Sequence, residues 1–274
     1  MEGISYQSVE GERVHTPRRE LVKAVDELPS PYLNGLFDSL LEAPFDFHAS
    51  QETHRGCPYR CTFCDWGSAV YTKVRRFSHD RLKKELDWFA GREIELLYNC
   101  DANFGLFKQD REFVEMLVET KRRHGYPEKF RAAYAKNSNQ NVFDISKLLN
   151  DHQMSKGTTL ALQSLTPSVL ELIERKNMDM NAYGELLETY RGAGIPTYSE
   201  LIMGLPGETY DSFADGLDEL MGAGLHEGLS VYLCIKLPNS EMARPDYAAR
   251  HGLVSRRMPI MLLHATPPED GVRE

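Results

Sequence analysis

Short apolar runs alternate with stretches in which apolar residues recur every three or four positions, over most of the chain. The runs at residues 45–53, 94–100, 130–135, 158–162, 196–201 and 229–235 read as strands, being short and bounded by turn residues. Between them lie helical stripes: Leu82, Leu86 and Phe89; Phe113, Met116 and Leu117; Val169, Leu172 and Ile173; Tyr183, Leu186, Leu187 and Tyr190; Phe213, Leu217 and Leu220. The punctuation agrees. Ser78 stands where a helix needs an N-cap, Thr166-Pro167 gives a cap followed by proline at the first helical position, and Gly192 and Gly194 close another helix. Six strand–helix units in register predict an α/β fold with a parallel sheet. Right-handed crossovers would curl it into a partial (β/α)6 barrel, with the chemistry at the C-terminal strand ends.

Three segments follow from this pattern: a lead-in over 1–44, a core over 45–252 and a C-terminal extension over 253–274. The lead-in is polar up to about Pro17, then passes through Pro29-Ser30-Pro31-Tyr32 into an amphipathic Leu36, Leu40, Leu41 stretch. The extension ends polar and proline-bearing, and its last residues are expected to fray. A length of 274 residues with 41% hydrophobic content suffices for a large buried core. The 32 basic and 41 acidic residues leave a net charge of −9, which argues against a general nucleic-acid binder. No signal peptide or bilayer-spanning run is visible, so a cytoplasmic protein without membrane partners is expected.

Three of the five cysteines, Cys57, Cys61 and Cys64, crowd into one segment just after the first strand. Such spacing fits no single face of a helix or strand, but a loop can wrap three thiolates round a metal centre. Soft thiolates favour iron–sulfur or zinc. Structural zinc would need a fourth ligand, such as His54 or His79, whereas a cubane on three thiolates keeps one iron open for a substrate. Cys100 and Cys234 lie in apolar strand contexts and read as small hydrophobes.

The C-x3-C-x2-C spacing with Phe63 before its last cysteine resembles the signature of the radical S-adenosylmethionine (SAM) superfamily. The fuller Glu52-Thr53-His54-Arg55-Gly56-Cys57-Pro58-Tyr59 and Cys64-Asp65-Trp66-Gly67 are similar to its cobalamin-associated branch. The resemblance implies that the three cysteines hold a 4Fe–4S cluster whose open iron chelates SAM, with Phe63, Trp66 and Gly67 beside it. After the second strand, Asp101 and Asn103 inherit the place that receives the SAM amino group, although the Gly-Gly-Glu form of many relatives is absent. A local Asx-type cap is the alternative for Asp101. Gln163-Ser164 and Arg175 match a pattern in which the glutamine meets the SAM ribose and the arginine its carboxylate; Arg175 read alone could be a solvated helix end. Glu200, Gly204 and Pro206 resemble the ribose and adenine wall, and Lys136-Asn137 offers further SAM contacts or mere surface polarity.

The resemblance implies an enzyme that cleaves SAM reductively, foremost for methyl transfer of the cobalamin-associated type to a small molecule or natural-product intermediate. Cobalamin-independent radical chemistry and a non-catalytic metal-binding subunit are the other readings. An electron donor such as flavodoxin or ferredoxin is implied as a partner. The branch's N-terminal cobalamin domain carries Asp-x-His-x-x-Gly, which this sequence lacks. The expectation is therefore a stand-alone core, half of a split enzyme or a truncated remnant, with any cobalamin supplied by a separate protein.

Overall fold

The computed structural model describes residues 2–17, 19–43, 45–66, 73–137, 140–225 and 228–256. They fall into two compact units, the first spanning 1–56 and 73–158 and the second 57–72 and 159–274. Most of the extension expected over 253–274, including its fraying end, lies outside the described residues.

The first unit opens with an antiparallel hairpin, β1 (Ser5–Gln7) on β2 (Arg13–His15). It continues through β3 (Ala49–Gln51), β4 (His54–Arg55), β5 (Arg75–Arg76), α1 (His79–Gly91), β6 (Leu96–Phe104), α2 (Lys108–His124), β7 (Lys129–Tyr134) and α3 (Gln140–Asp151). Its sheet runs β3-β6-β7, all parallel, with Ala49 opposite Leu97 and Leu97 opposite Phe130. Ser78 caps α1 as its sequence position predicts, accepting from the Arg81 N–H at 3.3 Å. One buried core joins the helices to this sheet, including Leu82, Leu86, Phe89, Phe104, Phe113, Leu117 and Phe130.

Departures from the sequence pattern have local causes. The first strand covers only 49–51 of the expected 45–53, and Phe45 is 72% exposed. It stops because the N–H groups of Thr53 and His54 leave the ladder for the Asp101 carboxylate. β6 runs on to Phe104, since its polar Asn99 and Asp101 bond each other inside the strand. Helix α3 buries Val142, Ile145 and Leu149, a stripe hidden in sequence by the polar run that precedes it. In the lead-in, Leu36 and Leu40 are exposed rather than forming an apolar face, and Tyr32 does the anchoring. Its ring packs among Phe37, Trp88 and Phe89, and its hydroxyl donates to the Ser50 carbonyl.

The second unit carries β8 (Thr158–Gln163), α4 (Pro167–Leu172), α5 (Met180–Gly192), β9 (Thr197–Met203), α6 (Tyr210–Gly222), β10 (Leu229–Leu233) and α7 (Pro245–Arg250). Its sheet has the order β10-β9-β8, with β10 parallel to β9. Val169, Ile173, Leu205, Met242 and Tyr247 form a buried cluster here. Among the described residues no helix is long and apolar enough to cross a membrane.

Candidate active site

The cysteine loop belongs to the second unit and is fastened by the residues between its thiols. Gly56 adopts φ 107°, a turn into Cys57 that side chains disfavour. Cys57 and Cys61 are each 3% exposed, and Cys64 is half-buried. The Cys64 N–H donates to the Cys61 carbonyl at 3.0 Å, closing a turn. Thr62 is the anchor: its N–H donates to Ile173 O at 3.1 Å and its carbonyl accepts from Met242 N–H at 2.9 Å. The Tyr247 hydroxyl donates to Leu172 O at 2.9 Å, which leaves its oxygen to accept from Thr62 Oγ1 at 3.1 Å. Phe63 packs against the Val169–Ile173 cluster, so the aromatic position serves as a hydrophobic plug.

Arg175 is 6% exposed, which corrects the solvated-helix-end alternative. Its Nε donates to Asn177 Oδ1 at 3.0 Å, and an Nη donates to the Ala161 carbonyl. Asn177 in turn donates to Leu162 O at 3.0 Å and Ser164 O at 2.8 Å. The pair thus clamps the end of β8, where Gln163 takes the left-handed φ of 71°. The guanidinium lies beside Cys61, and burial holds it below the usual arginine range while the Cys61 sulfur pulls the other way. Ser164 and Thr166 both donate to Glu208 Oε1, at 3.0 and 2.9 Å, so Thr166, which stands at the N-cap of α4 ahead of Pro167 as expected, gives its hydroxyl to this bridge and not to a helix N–H. Gly207 takes φ 79°, a conformation strained for residues with a side chain, and a Cβ there would sit 2.8 Å from Leu172 Cδ1, which would have to move. Glu200 is half-buried on β9, Gly204 is exposed at φ 91°, and Pro206 is buried.

An apolar cavity of about 240 Å³ in this unit is lined by Phe63, Gln163, Ile202, Tyr232, Leu233 and Cys234, among others. Tyr232 and Leu233 escape a sequence reading because apolar strand residues look like core. Asn177 and Glu208 escape it for lack of any spacing signal. Cys234 is partly exposed, with Sγ 3.5 Å from Met242 Sδ, and Cys100 is partly exposed too, so neither is the fully buried hydrophobe expected.

Asp101, Asn103, Lys136 and Asn137 belong to the first unit. Asp101 is 1% exposed and accepts from Thr53 N–H at 2.9 Å, His54 N–H at 3.1 Å, Asn99 Nδ2 at 3.0 Å and the Thr53 hydroxyl. His54 Nδ1 lies 3.2 Å from the same carboxylate, so both oxygens are engaged in fixing the backbone that leads to the cysteines. Asn103 is 2% exposed, Lys136 is half-buried, and Asn137 is exposed at φ 53°. Trp66 is 40% exposed, and Gly67 lies outside the described residues.

Asp110 also faces this cluster, 3.8 Å from His54 Nδ1, while accepting from the N–H groups of Gly105 and Phe107. Burial, with the neighbouring Asp101 charge, pushes its carboxyl above the usual range against the pull of those donors and of His54. A raised folded-state value means that the group's stabilising contribution is complete below the ordinary carboxylate pKa and is lost as pH rises through the raised value. Thermal melts of the apo-protein from about pH 4 to 8 should therefore show Asp110→Asn gaining on the parent as pH rises. A pH-independent gap would refute the direction of this shift.

The donor set suits an iron–sulfur cubane. Two thiols are buried, the third is accessible, and a cation neighbours one of them. Among the described residues no group of three His, Cys, Asp or Glu side chains converges on one point that a single ion could occupy. In a cubane each thiolate binds a different iron, which requires no such common point.

The family model for the radical SAM superfamily matches residues 52–220. The chain is 44% identical over 253 residues to the cobalamin-dependent radical SAM methyltransferase TokK of Streptomyces tokunonensis, covering 90% of this chain and 37% of that protein. It is 43% identical over 250 residues to the 2-(S-pantetheinyl)-carbapenam-3-carboxylate methyltransferase of Streptantibioticus cattleyicolor, covering 89% and 36%. The chain thus spans little more than a third of the length of either relative. Among solved structures, the methyltransferase TsrM of Kitasatospora setae superposes with a TM-score of 0.64 at 18% identity, over 88% of this chain and 48% of that one. The cobalamin-dependent SAM radical enzyme OxsB gives 0.57 at 20%, over 91% and 37%. Both likenesses bear on the fold, which is the α/β type expected from the strand–helix alternation.

Proposed function

Because the chain belongs to the radical SAM superfamily, whose members use a 4Fe–4S cluster and SAM, we propose that it is the catalytic core of a cobalamin-associated methyltransferase. The observation that carries this reading is the fastened loop of Cys57, Cys61 and Cys64, two of them buried, in a sequence 44% identical to TokK. When bound, the cluster supplies an electron that breaks a C–S bond of SAM and yields the 5′-deoxyadenosyl radical.

The chain's own residues have distinct parts in this proposal. The three cysteines hold the cluster, and Thr62, fixed between Ile173 and Met242, keeps their loop in shape. Gln163 and Ser164, at the clamped end of β8, are offered for the SAM ribose together with Glu200. Arg175 is offered for its carboxylate, Asp101 and Asn103 for its amino group, and Lys136 and Asn137 for further polar contacts, while Asp101 also holds the backbone before the loop. Phe63, Trp66, Gly67, Gly204 and Pro206 complete the cofactor contacts. The apolar cavity beside Phe63 is offered for an apolar part of the bound molecules.

Residues 45–252 constitute the radical SAM core in this reading, supported by the family match over 52–220. The substrate is a small natural-product intermediate, and the carbapenam carboxylate named for the second relative is the first to test. Electrons come from a flavodoxin- or ferredoxin-type donor, and cobalamin, on which the first relative depends, is the methyl carrier to test. A reducing, cytoplasmic location suits reduced cysteines.

The test is anaerobic reconstitution with SAM and a low-potential reductant, with and without added methylcobalamin and a corrinoid-binding partner. The expected result is 5′-deoxyadenosine from the chain alone, and methylated carbapenam only with corrinoid present. Absence of any SAM cleavage by a fully loaded cluster would refute the enzymatic reading. Methylation independent of corrinoid would refute the cobalamin-associated one.

A further inference from the structure

We infer that Arg175 donates to the Cys61 sulfur and so sets the reduction potential of the cluster that Cys57, Cys61 and Cys64 would hold. The inference rests on the cluster assignment proposed above. It gives Arg175 a task that precedes any contact with SAM.

Three observations lead to it. The first is an imbalance of charge: the guanidinium is 6% exposed, and the charged or ionisable side chains that act on it are Cys61, Tyr59 and Cys64, with no carboxylate among them. Its contacts at Ala161 O and Asn177 Oδ1 are neutral. A buried cation is costly unless an anion balances it, and the anions available here are cysteine thiolates.

The second is the way the turn before Arg175 is laid against the cysteine loop. Ile173 O accepts from Thr62 N–H at 3.1 Å, and Glu174 O lies 3.9 Å from Cys61 Sγ, a contact that can be a hydrogen bond only while the thiol keeps its proton. Glu174 takes a left-handed φ of 50°, and the Arg175 N–H returns to Leu170 O at 2.9 Å. Successive residues 173 and 174 therefore address Thr62 and Cys61, and the guanidinium of Arg175 follows them beside Cys61.

The third is rigidity. The bonds from Nε to Asn177 and from Nη to Ala161, with Asn177 tied to Leu162 and Ser164, keep the guanidinium from swinging away. A fixed cationic donor at a cluster sulfur stabilises the more negative, reduced state and raises the potential, because hydrogen bonds and charge at the sulfurs set it. Losing that donor makes the cluster harder to reduce.

The experiment is a spectroelectrochemical titration of the reconstituted full chain without SAM, comparing the parent with Arg175→Gln and Arg175→Lys. Arg175→Gln is expected to lower the reduction equilibrium constant at least tenfold, about 59 mV for one electron, whereas Arg175→Lys keeps most of the parent's potential. Equal potentials in all three would overturn the inference. Should Arg175→Gln fail to load a cluster, the parent supplies the answer. Pulsed electron paramagnetic resonance of the reduced protein carrying isotopically labelled arginine should show a nitrogen coupling that Arg175→Lys lacks, and its absence overturns the inference. A parent that binds no iron instead refutes the cluster assignment itself, an outcome distinct from an unchanged potential on a loaded cluster.

Discussion

Replacing Cys57, Cys61 or Cys64 by alanine is expected to abolish assembly of the cluster, while Cys100→Ala and Cys234→Ala retain it. The parent should bind about four irons per chain after anaerobic reconstitution, with the broad absorbance of a cubane. Each loop cysteine is one of only three protein ligands in this assignment, so no spare thiol can take its place. Cys100 belongs to β6 of the first unit, and Cys234 directs its sulfur to Met242. The measurement is iron and sulfide content together with the spectrum. Full iron loading in any single loop variant would overturn the ligand assignment, and stoichiometric zinc without iron would overturn the cofactor.

The largest effect on stability is expected at Asp101→Ala. That carboxylate accepts from two backbone N–H groups, the Thr53 hydroxyl and Asn99, and stands 3.2 Å from His54 Nδ1, all at 1–5% exposure. Removing it leaves buried donors unsatisfied and takes from a buried imidazole its nearest carboxylate, a loss of about 3–5 kcal/mol by analogy with broken buried pairs. Asp101→Asn keeps one carbonyl acceptor and should cost less. Urea unfolding of the apo-protein, read at the midpoint, checks both. An alanine variant as stable as the parent would mean that the network contributes no net stability. The same comparison separates this structural part of Asp101 from a part in SAM binding, because unfolding of the apo-protein involves no SAM.

The outcome at Asp101 shows where a sequence stops being readable. Its motif position suggested either a SAM contact or a local cap, and its contacts are those of a long-range cap, reaching back 47 and 48 residues to His54 and Thr53. Arg175 behaves alike. A sequence cannot tell a solvated helix end from a buried clamp, since the difference lies in Ala161, Asn177 and Cys61, which folding brings round it.

The sequence by itself determined the α/β alternation, the Ser78 cap and the parallel sheets, because side-chain periodicity and capping are set by neighbours along the chain. It determined as well that three thiols share one loop, since their spacing excludes any regular element. Tertiary structure decided the rest: the early end of the first strand, the length of β6, the burial of Arg175 and the cavity beside Phe63. Each of these depends on a hydrogen bond or a packing contact between residues distant in sequence, and such pairings leave no periodic trace in the sequence.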